Sequence, residues 1–88
     1  MKQIMKHEIT ADTQSISMHK GAEILAIRTH SSKTYIWTLE DPSMAREFRT
    51  FRVYRTGQQI DGEHVQRHRG TTSDLNGNAV RHVFEVEF

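Results

Sequence analysis

The feature that most constrains this chain is its end: Asn76-Gly77, then a run in which Val80, His82, Phe84, Val86 and Phe88 share one parity and Arg81, Val83, Glu85 and Glu87 the other. A period of two is the side-chain period of a β-strand and not of a helix, whose apolar positions recur every three or four residues. Asn and Gly tolerate the positive φ required at the centre of a tight hairpin, so the strand follows a turn and pairs with a segment upstream. The candidate partner is Glu63-His64-Val65-Gln66-Arg67-His68-Arg69, closed by Gly70. With only one strongly apolar residue, it reads as an exposed edge strand. On this pattern Phe84 and Val86 lie on the buried face and His82 is a hydrogen-bonded core imidazole, while Glu85 and Glu87 occupy a solvated outer face.

The same grammar continues upstream. Two β-branched and aromatic runs, Glu23 to Thr29 and Thr34 to Leu39, flank His30-Ser31-Ser32-Lys33 and predict a hairpin that starts at Gly21. Tyr35, Trp37 and Leu39 share a face, and the sole Trp is expected to anchor the core. Gln14 to Met18 alternates, and Lys2 to Glu8 adds an N-terminal edge strand. Asp41-Pro42 ends the strand before it, because Pro lacks the ladder N–H and restricts the residue preceding it. From Arg46 to Thr56 both Arg and the aromatics Phe48, Phe51 and Tyr54 recur every third residue. β-Branched and aromatic content favours a strand, with Arg49, Phe51 and Val53 on one face and Arg52 and Tyr54 on the other; Gly57 closes it. There is no repeat, no linker and no segment with helix caps and a 3.6-residue stripe. The expectation is a single β-rich domain over residues 1–88: an all-β, small antiparallel sandwich or barrel of six to seven short strands. At 88 residues and 35% apolar the core is thin, which makes a homo-oligomer an expected state.

Charge narrows the function. Twelve Lys and Arg against eleven Asp and Glu leave a net charge of +1, too little for a dedicated nucleic-acid binder. After Met44, however, all seven basic residues are Arg, whose planar fork suits phosphate and carboxylate and stacks on rings. The absence of Cys excludes a disulfide framework and thiolate metal sites. The first residues lack the apolar run of a signal peptide, and no stretch reaches membrane-span length. No P-loop, G-x-S-x-G or H-E-x-x-H is present, and the chain is not expected to be an enzyme. His64 and His68 share parity, but with Gln66 between them they read as exposed strand histidines, so neither a metal nor a cofactor is expected.

The informative motif is the Arg-aromatic interleaving from Arg46 to Arg55, joined by Arg67 and Arg69. If these two segments are neighbours, Arg49, Arg52, Arg55, Arg67 and Arg69 converge as phosphate ligands, with Tyr54 to stack on a base. The expected partner is an anionic small molecule, best matched by a nucleotide. The alternative is a protein-interaction module that offers an exposed strand edge and an Arg-rich face to acidic side chains of a host or virion protein.

Met18-His19-Lys20-Gly21-Ala22-Glu23-Ile24-Leu25, Trp37, Asp41-Pro42, Arg52-Val53-Tyr54-Arg55-Thr56-Gly57 and His82-Val83-Phe84-Glu85 together resemble a family of short uncharacterised proteins of tailed bacteriophages and prophages. The resemblance runs over almost the whole chain and departs from the family pattern in the Arg-rich segment and in the tail Val86-Glu87-Phe88. It implies a phage accessory protein acting in the host bacterial cytoplasm, with no catalytic residues to carry over. By analogy with small phage proteins that sequester cyclic nucleotide immune signals, the expected role is sequestration without turnover.

Overall fold

The computed structural model describes residues 1–60, 62–74 and 76–88. Seven antiparallel strands form two sheets: β1 (Gln3–Ile9), β2 (Thr13–His19), β3 (Glu23–His30), β4 (Lys33–Glu40), β5 (Arg46–Tyr54), β6 (Val65–Ser73) and β7 (Val80–Glu87). One sheet has the order β1-β4-β3, the other β2-β5-β7-β6, and they pack as a sandwich. The segments joining β1 to β2, β2 to β3 and β4 to β5 each cross between sheets. β3–β4 and β6–β7 are hairpins within a sheet, as their turn residues predicted.

The core lies between the sheets, where Met18, Ile27, Ile36, Phe51 and Val83 are fully or almost fully buried and Ile16 and Val53 nearly so. Each such side chain contributes about 1.5–3 kcal/mol through apolar area removed from water. β3 comes close to β6, and there Gly70 leaves the room: a Cβ on it would sit 3.1–3.3 Å from Ile27 side-chain carbons, which would have to give way by a few tenths of an ångström. Gly70 therefore does not close its strand. β6 continues through it to Ser73, with a register shift between His68 and Gly70 that leaves Arg69 as the extra residue.

Which face of a strand turns inward differs from expectation in two places. On β4 the buried column is Thr34, Ile36, Thr38 and Glu40, so Trp37 is not the core anchor. Tyr35, Trp37 and Leu39 lie half-buried on the outside, with Lys6 Nζ 4.6 Å from the Tyr35 ring centroid and 5.3 Å from that of Trp37. On β7 the register pairs Val83 with Val53 and Glu85 with Phe51, which turns Val83 and Glu85 inward, while Val86 on the opposite face is buried as expected. His82 therefore lies outside the core: its Nε2 is 2.8 Å from Thr56 Oγ1 and its Nδ1 3.0 Å from Thr71 Oγ1. Glu85, expected on a solvated face, is only 12% exposed.

Candidate functional site

The Arg residues singled out by sequence do not meet, because β7 lies between β5 and β6. Glu85 of β7 gathers two of them, Arg49 from within the sandwich and the exposed Arg69 from its surface. Arg49 Nε and Nη2 donate to its two oxygens at 2.7 and 2.8 Å, Arg69 Nε donates to Oε1 at 2.9 Å, and Arg49 Nη1 donates to the Ala22 carbonyl. Burial alone would raise the Glu85 carboxyl; the two guanidiniums hold it below its ordinary range. Arg67 donates to Glu87 at the surface at 2.6 Å. Arg52 and Tyr54 lie on the opposite face of β5. Tyr54 is buried, donates its hydroxyl to Gln66 Oε1 at 2.7 Å and packs edge-on against Phe84, so its ring is already covered. Of the six, Arg55 borders a cleft.

That cleft, of about 310 Å³, is the open end of the sandwich. It forms where inward-facing columns run out of apolar residues: Phe51 and Val53 on β5 lead to Arg55, Val83 on β7 leads to Arg81, and Ile36 on β4 leads to Thr34. Lys33 adds a third cation, and Glu8 and Asp12 add carboxylates from the β1–β2 end. Among the described residues, the side chains of Lys33, Arg55 and Arg81 make no hydrogen bond or ion pair, unlike Arg46, Arg49, Arg67 and Arg69. Thr34, also lining the cleft, is 4% exposed, and its Oγ1 is buried with no partner among the described residues. A buried hydroxyl without a partner is costly, by about 1–3 kcal/mol, and asks for one. Sequence parity carried a signal for this site, since Arg55 shares parity with Phe51 and Val53, and Arg81 with Val83. The mistaken inner face of the last strand hid it.

The β3–β4 turn forms one wall. Ser31 and Ser32 adopt φ of 51° and 65°, the left-handed region that Asn and Gly occupy with least strain. Ser32 lines the cleft and also a second one, of about 440 Å³, with Thr29, His30, Ser31, Asp74 and Asn76. The double substitution Ser31→Asn with Ser32→Gly is expected to stabilise the fold by about 1 kcal/mol and to raise Tm by roughly 4–8 °C in a thermal melt.

A different polar cluster, which sequence reasoning missed, closes another part of the sandwich. Glu40 is 1% exposed, yet it accepts hydrogen bonds from His7 Nε2 and His19 Nδ1, both at 2.7 Å, from the His19 backbone N–H at 3.0 Å and from Thr38 Oγ1 at 2.6 Å. Burial works to raise its pKa, but these four donors, the His19 backbone N–H foremost, hold it at about 2 against an ordinary 4.5. A charged carboxylate only accepts, so His7 carries its proton on Nε2 and His19 on Nδ1. His19 Nε2 lies 3.4 Å from Arg46 Nη1. The cluster ties β1 and β4 of one sheet to β2 of the other. No group of three or more His, Cys, Asp or Glu residues placed to hold a metal ion occurs among the described residues. None of the described residues forms a helix long and apolar enough to cross a membrane.

No curated protein and no solved structure matches the chain. A family described as "Domain of unknown function (DUF7352)" matches residues 1–88, the full length of the described fold, and the chain belongs to that family.

Proposed function

We propose that this protein binds a small anionic ligand, a nucleotide foremost, in the cleft at the open end of the sandwich, and holds it without chemical turnover. The observation that carries this reading is the coincidence, in one cleft, of three cations and a buried Thr34 hydroxyl that have no side-chain partner among the described residues. Cations that are not committed to carboxylates keep their full hydrogen-bonding capacity for a phosphate, which Arg55 and Arg81 would grip through their guanidinium forks. Glu8 and Asp12 supply acceptors for ligand hydroxyl or amino groups, so the cleft suits a molecule that is anionic at one end and donates hydrogen bonds at the other. The resemblance to short phage and prophage proteins extends the reading to sequestration of a cyclic nucleotide immune signal by a homo-oligomer in the host bacterial cytoplasm.

Calorimetric titration with linear and cyclic nucleotides and inorganic phosphate tests it. Arg81→Ala and Arg55→Ala are each expected to weaken binding by about 10- to 100-fold, the loss of one charge-assisted contact of roughly 1.5–3 kcal/mol. Arg67→Ala should leave affinity unchanged. The absence of binding across the whole panel, or equal losses in all three variants, would refute the assignment.

A further inference from the structure

We infer that the ligand is a phosphate ester with a neutral, hydrogen-bonding head group, its phosphate in the cationic cleft and its head in the second cleft across the Ser31-Ser32 turn. This rests on the anion-binding reading of the first cleft and adds what the ligand carries besides its charge. Three observations support it. The two clefts share Ser32 as a lining residue, which makes the β3–β4 turn a wall of both. Their chemistry is divided: every Lys and Arg lining either cleft belongs to the first, whereas Thr29, His30, Ser31 and Asn76 give the second hydroxyl, imidazole and amide groups that both donate and accept. Asp74, the carboxylate of the second cleft, already accepts the Asn76 and Asn78 backbone N–H groups on Oδ1 and sets the shape of that loop. A phosphate placed in the second cleft would meet a carboxylate and no Lys or Arg, so the ligand is held in one orientation.

The positive φ of Ser31 and Ser32 fits this role. A turn in that conformation brings two hydroxyl-bearing residues to the wall between the clefts, where Gly would bring none. A nucleoside monophosphate is the simplest probe with both parts. Its charged end alone is mimicked by inorganic phosphate.

The test is a pair of titrations of the full chain, one with inorganic phosphate and one with a panel of the four nucleoside 5′-monophosphates. At least one nucleotide is expected to bind ten or more times tighter than phosphate. His30→Ala combined with Asn76→Ala, both at exposed positions, should erase that margin while leaving phosphate affinity within twofold. Equal affinity for phosphate and for all four nucleotides would overturn the second-cleft assignment and leave the first standing, as would a double variant that keeps the margin. Failure of both phosphate and nucleotides to bind the unaltered chain would overturn both.

Discussion

Glu40→Ala is expected to destabilise the protein by roughly 3–4 kcal/mol. The substitution removes the shared acceptor of two imidazoles, a backbone N–H and a threonine hydroxyl, all held where water does not compensate them, and opens a cavity between β4 and β2. For a chain of 88 residues, whose total stability is about 4–13 kcal/mol, that is a large fraction. Denaturant unfolding followed by the fluorescence of Trp37 measures it. The same carboxylate makes stability depend on pH with a definite sign. Its folded pKa, about 2, lies below the ordinary 4.5, so the folded state favours the deprotonated form. Its contribution is complete above about pH 4.5 and is lost as pH falls towards 2. Glu40→Gln should be less stable at neutral pH and should show a flatter decline across that acid window. A variant as stable as the parent at pH 7 would show that the four hydrogen bonds only offset the cost of burial.

Glu85→Ala should cost about 3 kcal/mol, whereas Glu87→Ala should cost less than about 1 kcal/mol. The two glutamates are two residues apart on β7 and both pair with Arg, so composition does not separate them. Burial does. Glu85 accepts the bidentate Arg49 fork inside the sandwich and also Arg69 from the surface, and its removal leaves the Arg49 guanidinium half-buried with the Ala22 carbonyl as its remaining partner. Glu87 meets Arg67 where the Arg67 side chain is 58% exposed, and water and salt screen that pair. Comparing the two unfolding midpoints at low and high salt checks both parts: the Glu87 effect should fade with salt and the Glu85 effect persist. Equal costs would mean that Glu85 contributes no more than a surface ion pair.

All seven strands were legible in the sequence, because alternation, turn dipeptides and a proline mark them locally. Which face of each turned inward was less so. On β4 the residues Tyr35, Trp37 and Leu39 carry more apolar surface than Thr34, Ile36, Thr38 and Glu40, and hydrophobicity alone puts Trp37 inside. What reverses the choice is distant: His7 and His19 come from other strands to satisfy Glu40, and Lys6 covers the rings left outside. On β7, likewise, Glu85 turns inward because Arg49 and Arg69 meet it there. The candidate site was legible only in part. A cluster of Arg was visible, but strand order decides which of them converge, and no local pattern reveals that β7 inserts between β5 and β6. Arg55, one of the residues singled out in the sequence, lines the cleft without the other five. Arg81, Lys33 and Thr34 emerged only when the ends of three strands were seen to face each other.

Because both faces of β4 are apolar enough to be buried, a chain sliding past its neighbours by one residue would lose little of its oily contact. Such a slip would swing Glu40 outward and leave the imidazoles of His7 and His19 facing Leu39, with nothing to receive their protons. The buried carboxylate thus acts as a registration pin, a polar key that only one alignment of the two sheets fits. It gives a small domain with a thin core a single folded answer where greasiness alone would allow two.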